Sequence, residues 1–307
     1  MNIIKYTRMQ NSFFLRQKKT TTKFGLAGKR ELLLARLFCS GLFFCSFCFF
    51  GPLDALAQVK KSKNKAVGVT AQAVYAVDYT NGKVLCSKNP HLKLQPASLV
   101  KLLTALVVLE RLDMDERVTV SLRAVNVEPT KAGLKKGVYY SVRDLLEVLV
   151  ATSANDAGVV LAEAVAGSEE DFACLMNKKA RELGASHSNF TNATGLPDPK
   201  QVTTAYDYSI ITREAFSHPF IVSVMEKKYV TIKGSDGVVI KRRNHNKLLW
   251  RLSDPLVLGK TGYTRAAGHC YAGIAYYGDH RVSIVILKSK KSWDDIYAIL
   301  GVAPKKK

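Results

Sequence analysis

The 307-residue sequence contains no G-x-G-x-x-G and no G-x-x-x-x-G-K-[ST] string, so neither of the common glycine-rich phosphate cradles is encoded. Acidic residues are few: 25 Asp+Glu stand against 46 Lys+Arg, a formal net charge of +21. An excess of that size points to an acidic partner. Cysteine is scarce, six in all, and Cys39, Cys45 and Cys48 fall in one N-terminal apolar run. The remaining Cys86, Cys174 and Cys270 form no C-x-x-C and match no metal-knuckle spacing, which removes the usual thiol-redox and zinc readings. One disulfide with a free thiol, and three buried thiols, both stay open. Internal repeats are absent and strands do not alternate with helices, which disfavours a doubly wound nucleotide fold.

What is present is a globular composition, 47% hydrophobic and 23% charged, long enough for a sizeable core. The first stretch is of another kind: basic residues up to Arg36, an apolar run over 37–53, then Ala55 and Ala57. That order is expected of an export signal over 1–57, cleaved after Ala57. An uncleaved anchor is the competing reading, and only it would bring membrane contact. Either way the remainder leaves the cytoplasm for a periplasm or other extracytoplasmic envelope. Residues 1–57 hold nine Lys+Arg and two Asp+Glu, which leaves 37 basic and 23 acidic residues beyond them, a net charge of +14. Export and the scatter of charge weigh against nucleic acid and favour a polyanionic envelope surface. Residues 58–70 read as a linker, 71–302 as a single domain and 303–307 as a basic tail.

The stretch Q-A-V-Y-A-V-D-Y-T-N-G-K-V-L-C-S-K alternates around Asn81-Gly82 and predicts a β-hairpin. A helix over about 98–112 has apolar residues almost all round, the mark of a buried helix. A short strand is expected at 117–121 and helices at 141–150, 156–166 and 169–183, with Gly167 and Gly184 as stops. Residues 191–200 have no period, strands at 270–277 and 281–287 flank Gly278-Asp279, and a helix at 293–300 follows. Early strands, a helical middle and late strands that must pair with the early ones predict an α+β fold. It is an antiparallel sheet packed with helices, plus a helical subdomain.

One residue conflicts with the buried helix. Lys101 lies inside P-A-S-L-V-K-L-L-T-A-L-V-V-L-E (96–110), and lysine is almost never fully buried without a partner or a task. Ser98, three residues earlier, shares its face at the positive end of the helix. A serine hydroxyl needs a base to become a nucleophile, and lysine serves only when neutral. With a reference pKa near 10.4, about one lysine in a few thousand is neutral at pH 7; lowering that value by about three units costs roughly 4 kcal/mol. The apolar helix supplies burial, and Lys260 a repelling cation.

Ser153-Ala-Asn155, between two helices, offers a second hydroxyl and an amide. Asn155 would hold Lys101 and a substrate amide, and Ser153 would relay a proton. The plain alternative is capping of the following helix. Lys260-Thr261-Gly262, the only K-[ST]-G, offers a cation and a hydroxyl to a carboxylate and a glycine where backbone meets ligand. Its plain alternative is an edge strand. Backbone N–H groups of Ser98 and Tyr263 would form an oxyanion hole. S-x-x-K recurs at Ser62, and S-x-N at Ser62 and Ser87, in polar stretches without such context.

In this order and context the three elements resemble the signature of serine penicillin-binding proteins and β-lactamases. With S-A-N-D-A, L-A-E-A-V-A-G-S, F-A-C-L-M-N-K-K-A-R-E-L-G, F-T-N-A-T-G-L and G-K-T-G-Y-T, the chain most resembles low-molecular-weight D-alanyl-D-alanine carboxypeptidases over about 72–287. The resemblance implies a β-lactamase/transpeptidase-like fold and a serine peptidase acting on the D-Ala-D-Ala end of peptidoglycan pentapeptides. It implies an acyl-enzyme on Ser98, inhibition by β-lactams, and no metal or organic cofactor. Ser98, Lys101, Ser153 and Asn155 would be catalytic; Lys260, Thr261, Gly262 and Tyr263 would bind substrate. Endopeptidase cleavage of cross-linked muropeptides is the nearest alternative, because only about twenty residues follow Leu287, as in single-domain relatives. Tyr263 stands where such proteins often have histidine. A serine β-lactamase is disfavoured because no E-x-x-L-N string lies between Ser153 and Lys260. A non-catalytic envelope-binding module would need neither Ser98 nor Lys101.

Overall fold

The computed structural model describes residues 68–252 and 255–302. The expected export signal, most of the linker and the basic tail lie outside them, as does Ser62. The chain opens with strands β1 (Ala73–Asp78) and β2 (Lys83–Lys88), and a 3-10 turn (Ala97–Val100) leads into α1 (Lys101–Leu109). Then come β3 (Arg117–Thr119), α2 (Leu122–Asn126), β4 (Tyr139–Ser141), α3 (Val142–Thr152), α4 (Asn155–Ala166) and α5 (Glu169–Leu183). Next are α6 (Ala205–Ser217), α7 (Pro219–Glu226), β5 (Tyr229–Lys233), β6 (Val239–Arg243) and α8 (Leu248–Arg251). The last elements are β7 (Leu256–Thr264), β8 (Gly268–Tyr277), β9 (His280–Ser289) and α9 (Ser292–Leu300).

Five strands form one antiparallel sheet in the order β2-β1-β9-β8-β7. Its middle strand explains the architecture. Along β9, Val282, Ile284 and Ile286 enter a small core with Ile296 and Ile299 of α9, while Val285 and Leu287 face the large helical core. A strand covered on both faces reads as a near-continuous apolar run, as V-S-I-V-I-L does. The α+β prediction of an antiparallel sheet packed with helices therefore holds. In the helical part α1 is central, buried from Lys101 to Val108 and packed on α3, α4, α5 and α6.

Local chemistry sets the helix ends. Ser141 and Ser168 accept the N–H groups of Asp144 and Asp171 at the starts of α3 and α5. α4 and α5 stop on left-handed Gly167 and Gly184, where a side chain would be strained.

Four details depart from expectation. The β1–β2 loop has four residues, because the Asp78 carboxylate accepts the Thr80 N–H and the Asn81 amide at 2.9 and 2.8 Å and organises a wider turn. The expected strand at 117–121 ends at Thr119, since Ser121 caps α2. Residues 69 and 70 of the expected linker are packed: Val69 is buried, and Thr70 donates its N–H to Asp295 at 2.7 Å. Finally, α6, α7, the β5–β6 hairpin and α8 were not predicted. α6 carries buried Asp207, Ser209 and Thr212, which hide the apolar period; the two hydroxyls return to the Tyr206 and Tyr208 carbonyls. No helix among the described residues is long and apolar enough to cross a membrane. Cys86 and Cys270 are buried and Cys174 exposed, all three unpaired, so neither cysteine arrangement considered from the sequence holds.

Gly259 and Gly273 face each other across β7 and β8 and leave a slot for the Tyr271 ring. A Cβ at Gly273 would fall 2.1 Å from the Leu258 carbonyl oxygen. Gly273→Ala is expected to cost about 1–3 kcal/mol and lower Tm by several degrees. An unchanged melting curve would show that this slot is not tightly filled.

Candidate active site

The turn that carries Ser98 is held under strain. Ala97 sits at φ +49°, a left-handed conformation that a residue with a side chain adopts at a cost. Two glycines press on it: a Cβ at Gly195 would lie 2.1 Å from the Ala97 carbonyl oxygen, and one at Gly262 would lie 3.0 Å from the Ser98 nitrogen. Gly262 was expected to let backbone meet ligand; in the fold it lets β7 approach the Ser98 peptide. From this turn α1 carries Lys101 into the core, where its side chain has no solvent access.

The Lys101 amine lies 3.0 Å from Ser98 Oγ and 2.7 Å from Asn155 Oδ1, and it also donates to the Thr194 carbonyl. Carbonyl and amide oxygens can only accept. A neutral amine has two N–H bonds and one lone pair, so the two carbonyl-type partners take both hydrogens. The lone pair is left for the hydroxyl, the single partner able to donate.

A second pair stands beside the first. α3 ends on Ser153 in the left-handed region (φ +65°), and its hydroxyl accepts from Lys260 Nζ at 2.9 Å. Ala154, not Ser153 or Asn155, occupies the N-cap of α4, so the capping alternative fails. Lys260 lies on β7, 1% exposed, and donates also to the Thr261 carbonyl at 2.9 Å. Thr261 is half-buried. Tyr263 is 61% exposed, with its ring 4.7 Å from that of His269. Ser87 is exposed on β2 and Asn89 bonds the Gln72 carbonyl, which leaves that S-x-N match without a role here.

Burial sets the electrostatics. It pushes the Lys101 amine well below the usual lysine range, and the Lys260 charge pushes it further. Burial brings Lys260 down to about 7. Neither lysine has a carboxylate within ion-pair distance among the described residues. No group of three His, Cys, Asp or Glu side chains among those residues is placed to hold a metal ion.

Sequence reasoning missed the residues that build the rear of the site. Asn192 Oδ1 accepts the N–H groups of Thr194 and Gly195 at 3.2 and 2.7 Å and the Thr194 hydroxyl at 3.1 Å. Thr104, on α1, donates to the Ala193 carbonyl at 2.8 Å. Together they aim the Thr194 carbonyl at Lys101. Asp156 accepts the N–H groups of Ala132, Gly133 and Leu134, and the Asn155 amide donates to the Glu128 carbonyl at 2.8 Å. The available signal was the aperiodic T-N-A-T-G-L string, where an Asn two residues before Thr-Gly fits a side-chain-closed turn.

Residues 58–291 match the sequence profile of the family described as D-alanyl-D-alanine carboxypeptidase. The chain belongs to this family. D-alanyl-D-alanine carboxypeptidase DacF of Bacillus subtilis is 32% identical over 252 residues, 77% of this chain and 62% of that protein. The chain thus spans a little under two thirds of that relative's length. A crystal structure of D-alanyl-D-alanine carboxypeptidase from Mycobacterium tuberculosis superposes with a TM-score of 0.71 at 30% identity, over 77% of this chain and 93% of that one. Penicillin-binding protein D2 of Listeria monocytogenes, in its ampicillin-bound form, gives 0.64 at 31% identity, over 76% and 97%.

Two outcomes follow from this geometry. Asn192→Ala releases the loop behind Lys101 and is expected to slow acylation by fluorescent penicillin up to about 10²-fold while circular dichroism stays native; a wild-type rate would remove the loop from the site. The second concerns pH. Lys260 loses its proton near 7 in the fold and near 10.5 in the unfolded chain, so between those values the unfolded chain binds more protons. Folding stability of the wild type should therefore rise relative to Lys260→Met as pH climbs from 7 to 10. Parallel urea curves at both pH values would show that Lys260 is not depressed.

Proposed function

We propose that this chain is a serine D-alanyl-D-alanine carboxypeptidase that trims the terminal D-Ala from peptidoglycan stem peptides. The observation that carries the reading is the partner set of Lys101, two accepting oxygens and one hydroxyl. Ser98 Oγ attacks the penultimate D-Ala carbonyl carbon as its proton passes to Lys101. The oxyanion is held by the backbone N–H groups of Ser98 and Tyr263. The C–N bond then breaks as Ser153, bonded to Lys260, gives its proton to the departing D-Ala amine and takes up the one held by Lys101, which is neutral again for the next step. Lys260 and Thr261 face the terminal carboxylate, with Lys260, itself almost without solvent access, supplying the charge-assisted contact. Water, deprotonated by Lys101, cleaves the ester and restores Ser98.

β-Lactams follow the same first step and acylate Ser98. The ampicillin-bound neighbour supports this. The reaction belongs outside the cytoplasm, in the cell envelope, which the basic and apolar order of residues 1–57 supports.

Ser98→Ala should abolish both D-Ala release and labelling by fluorescent penicillin; undiminished labelling would refute the nucleophile. Lys101→Ala should slow acylation by about 10²- to 10⁴-fold. Mass spectrometry of monomeric and cross-linked muropeptides incubated with the wild type completes the test. Loss of one alanine from the monomer supports the carboxypeptidase, whereas conversion of dimers alone would make it an endopeptidase. Rapid repeated hydrolysis of a cephalosporin would make it a β-lactamase.

A further inference from the structure

The two faces of the β5–β6 hairpin meet different surroundings. Val230, Ile232 and Ile240 enter the large core. The tip is fastened to β4, where the Ser235 N–H donates to the Tyr139 carbonyl and Ser235 Oγ accepts the Tyr139 N–H, each at 3.0 Å. The hairpin is thus held from behind, and three cross-strand pairs make up its outward face: Tyr229 with Arg243, Thr231 with Lys241, and Lys233 with Val239. All six residues are exposed, Tyr229 by 50% and Val239 by 58%. None is acidic. Among the described residues, Lys233, Lys241 and Arg243 have no carboxylate within ion-pair distance, and Asp236 at the tip is taken by Lys135 at 3.3 Å.

Cations and rings are interleaved on this face. The Lys241 amine lies 5.1 Å from the centre of the Tyr229 ring and the Arg243 guanidinium 4.2 Å from that of Trp250, while the two rings meet edge to face at 6.4 Å. Val238, next to Val239, is exposed as well. A soluble polyanion would satisfy the cations and leave Tyr229, Val238 and Val239 in water. A neutral protein face would cover the apolar groups and strip water from the cations with nothing in return. An anionic bilayer meets both needs: its phosphates take the ammonium and guanidinium groups, and its headgroup layer is where an aromatic ring with a polar tip settles. The excess of 37 basic over 23 acidic residues beyond position 57 acts in the same direction.

We propose that the outward face of the β5–β6 hairpin docks on an anionic bilayer, with Tyr229, Val238 and Val239 at headgroup level and Lys233, Lys241 and Arg243 on lipid phosphates. The contact belongs to the folded domain and is separate from the anchor considered at residues 37–53. It adjoins the site, because Arg243 and Trp250 also line, with Thr152, a cavity of about 600 Å³ next to Ser153. Docking therefore brings that side of the site to the membrane surface.

Trp250 reports the contact, and Trp293→Phe makes it the sole tryptophan of the full chain. Its fluorescence is followed as vesicles carrying a nitroxide on the lipid headgroup are added, one set of phosphatidylcholine alone and one with about one third phosphatidylglycerol. Quenching is expected with the anionic set and should be reversed by salt. It should be absent with the neutral set, even where residues 37–53 hold the chain to both. Lys233→Gln and Lys241→Gln should each weaken the anionic contact about fivefold. Val239→Ser should weaken it too, with circular dichroism unchanged. No quenching by anionic vesicles, or equal quenching by neutral ones, would overturn the proposal. Long-chain polyphosphate separates the remaining reading: if it displaces the vesicles and Val239→Ser leaves vesicle quenching unchanged, the face is a polyanion site and bilayer docking is refuted.

Discussion

Three oxygen atoms, from Ser98, Asn155 and the Thr194 peptide, surround one amine that has no carboxylate to pair with. Much of the surrounding structure exists to hold that arrangement dry. The apolar wall of α1 excludes water from Lys101, α4 begins at the residue that presents Asn155 Oδ1, and Asn192 and Thr104 fasten the loop that supplies the third oxygen. A buried lysine without an anion is expensive; for Lys260, brought from 10.5 to about 7, the difference corresponds to about 5 kcal/mol. The large core and the five-stranded sheet offset such a cost.

The centre is assembled from segments that are distant in sequence. Lys101 meets residues 54 and 93 positions away, and Lys260 reaches a hydroxyl 107 positions back. β7 brings Lys260 in, and its glycine at 262 allows the strand to lie against the strained turn at Ala97. Inside, where the dielectric is low, one cation lowers the proton affinity of another.

Some of this was legible without coordinates because it depends on local physics. A lysine within a helix that is apolar all round has to be buried, and a serine three residues before it has to share its face. Gly167 and Gly184 stop helices because only glycine adopts the left-handed ending cheaply. The strands expected at 270–277 and 281–287 around Gly278-Asp279 are present as parts of β8 and β9. Other parts were not legible. The apolar stripe of α6 is masked by buried hydroxyls that bond to their own helix, and the choice between a cap and a partner of Lys260 for Ser153 was left open until the fold turned its hydroxyl to Lys260.

The sequence by itself therefore determined which side chains are available to the proposed reaction, since a hydroxyl, an amine that must be buried and a second cation are chemical identities and need no geometry. The tertiary structure alone decided the protonation that makes them useful, because desolvation and the choice of which oxygens face an amine arise only when remote segments are packed together. It also decided that Arg242, Arg243, Lys247, Arg251 and Lys131 share one cavity. Four of them lie within ten residues of sequence, and only folding brings the fifth, from more than a hundred residues earlier, to the same wall.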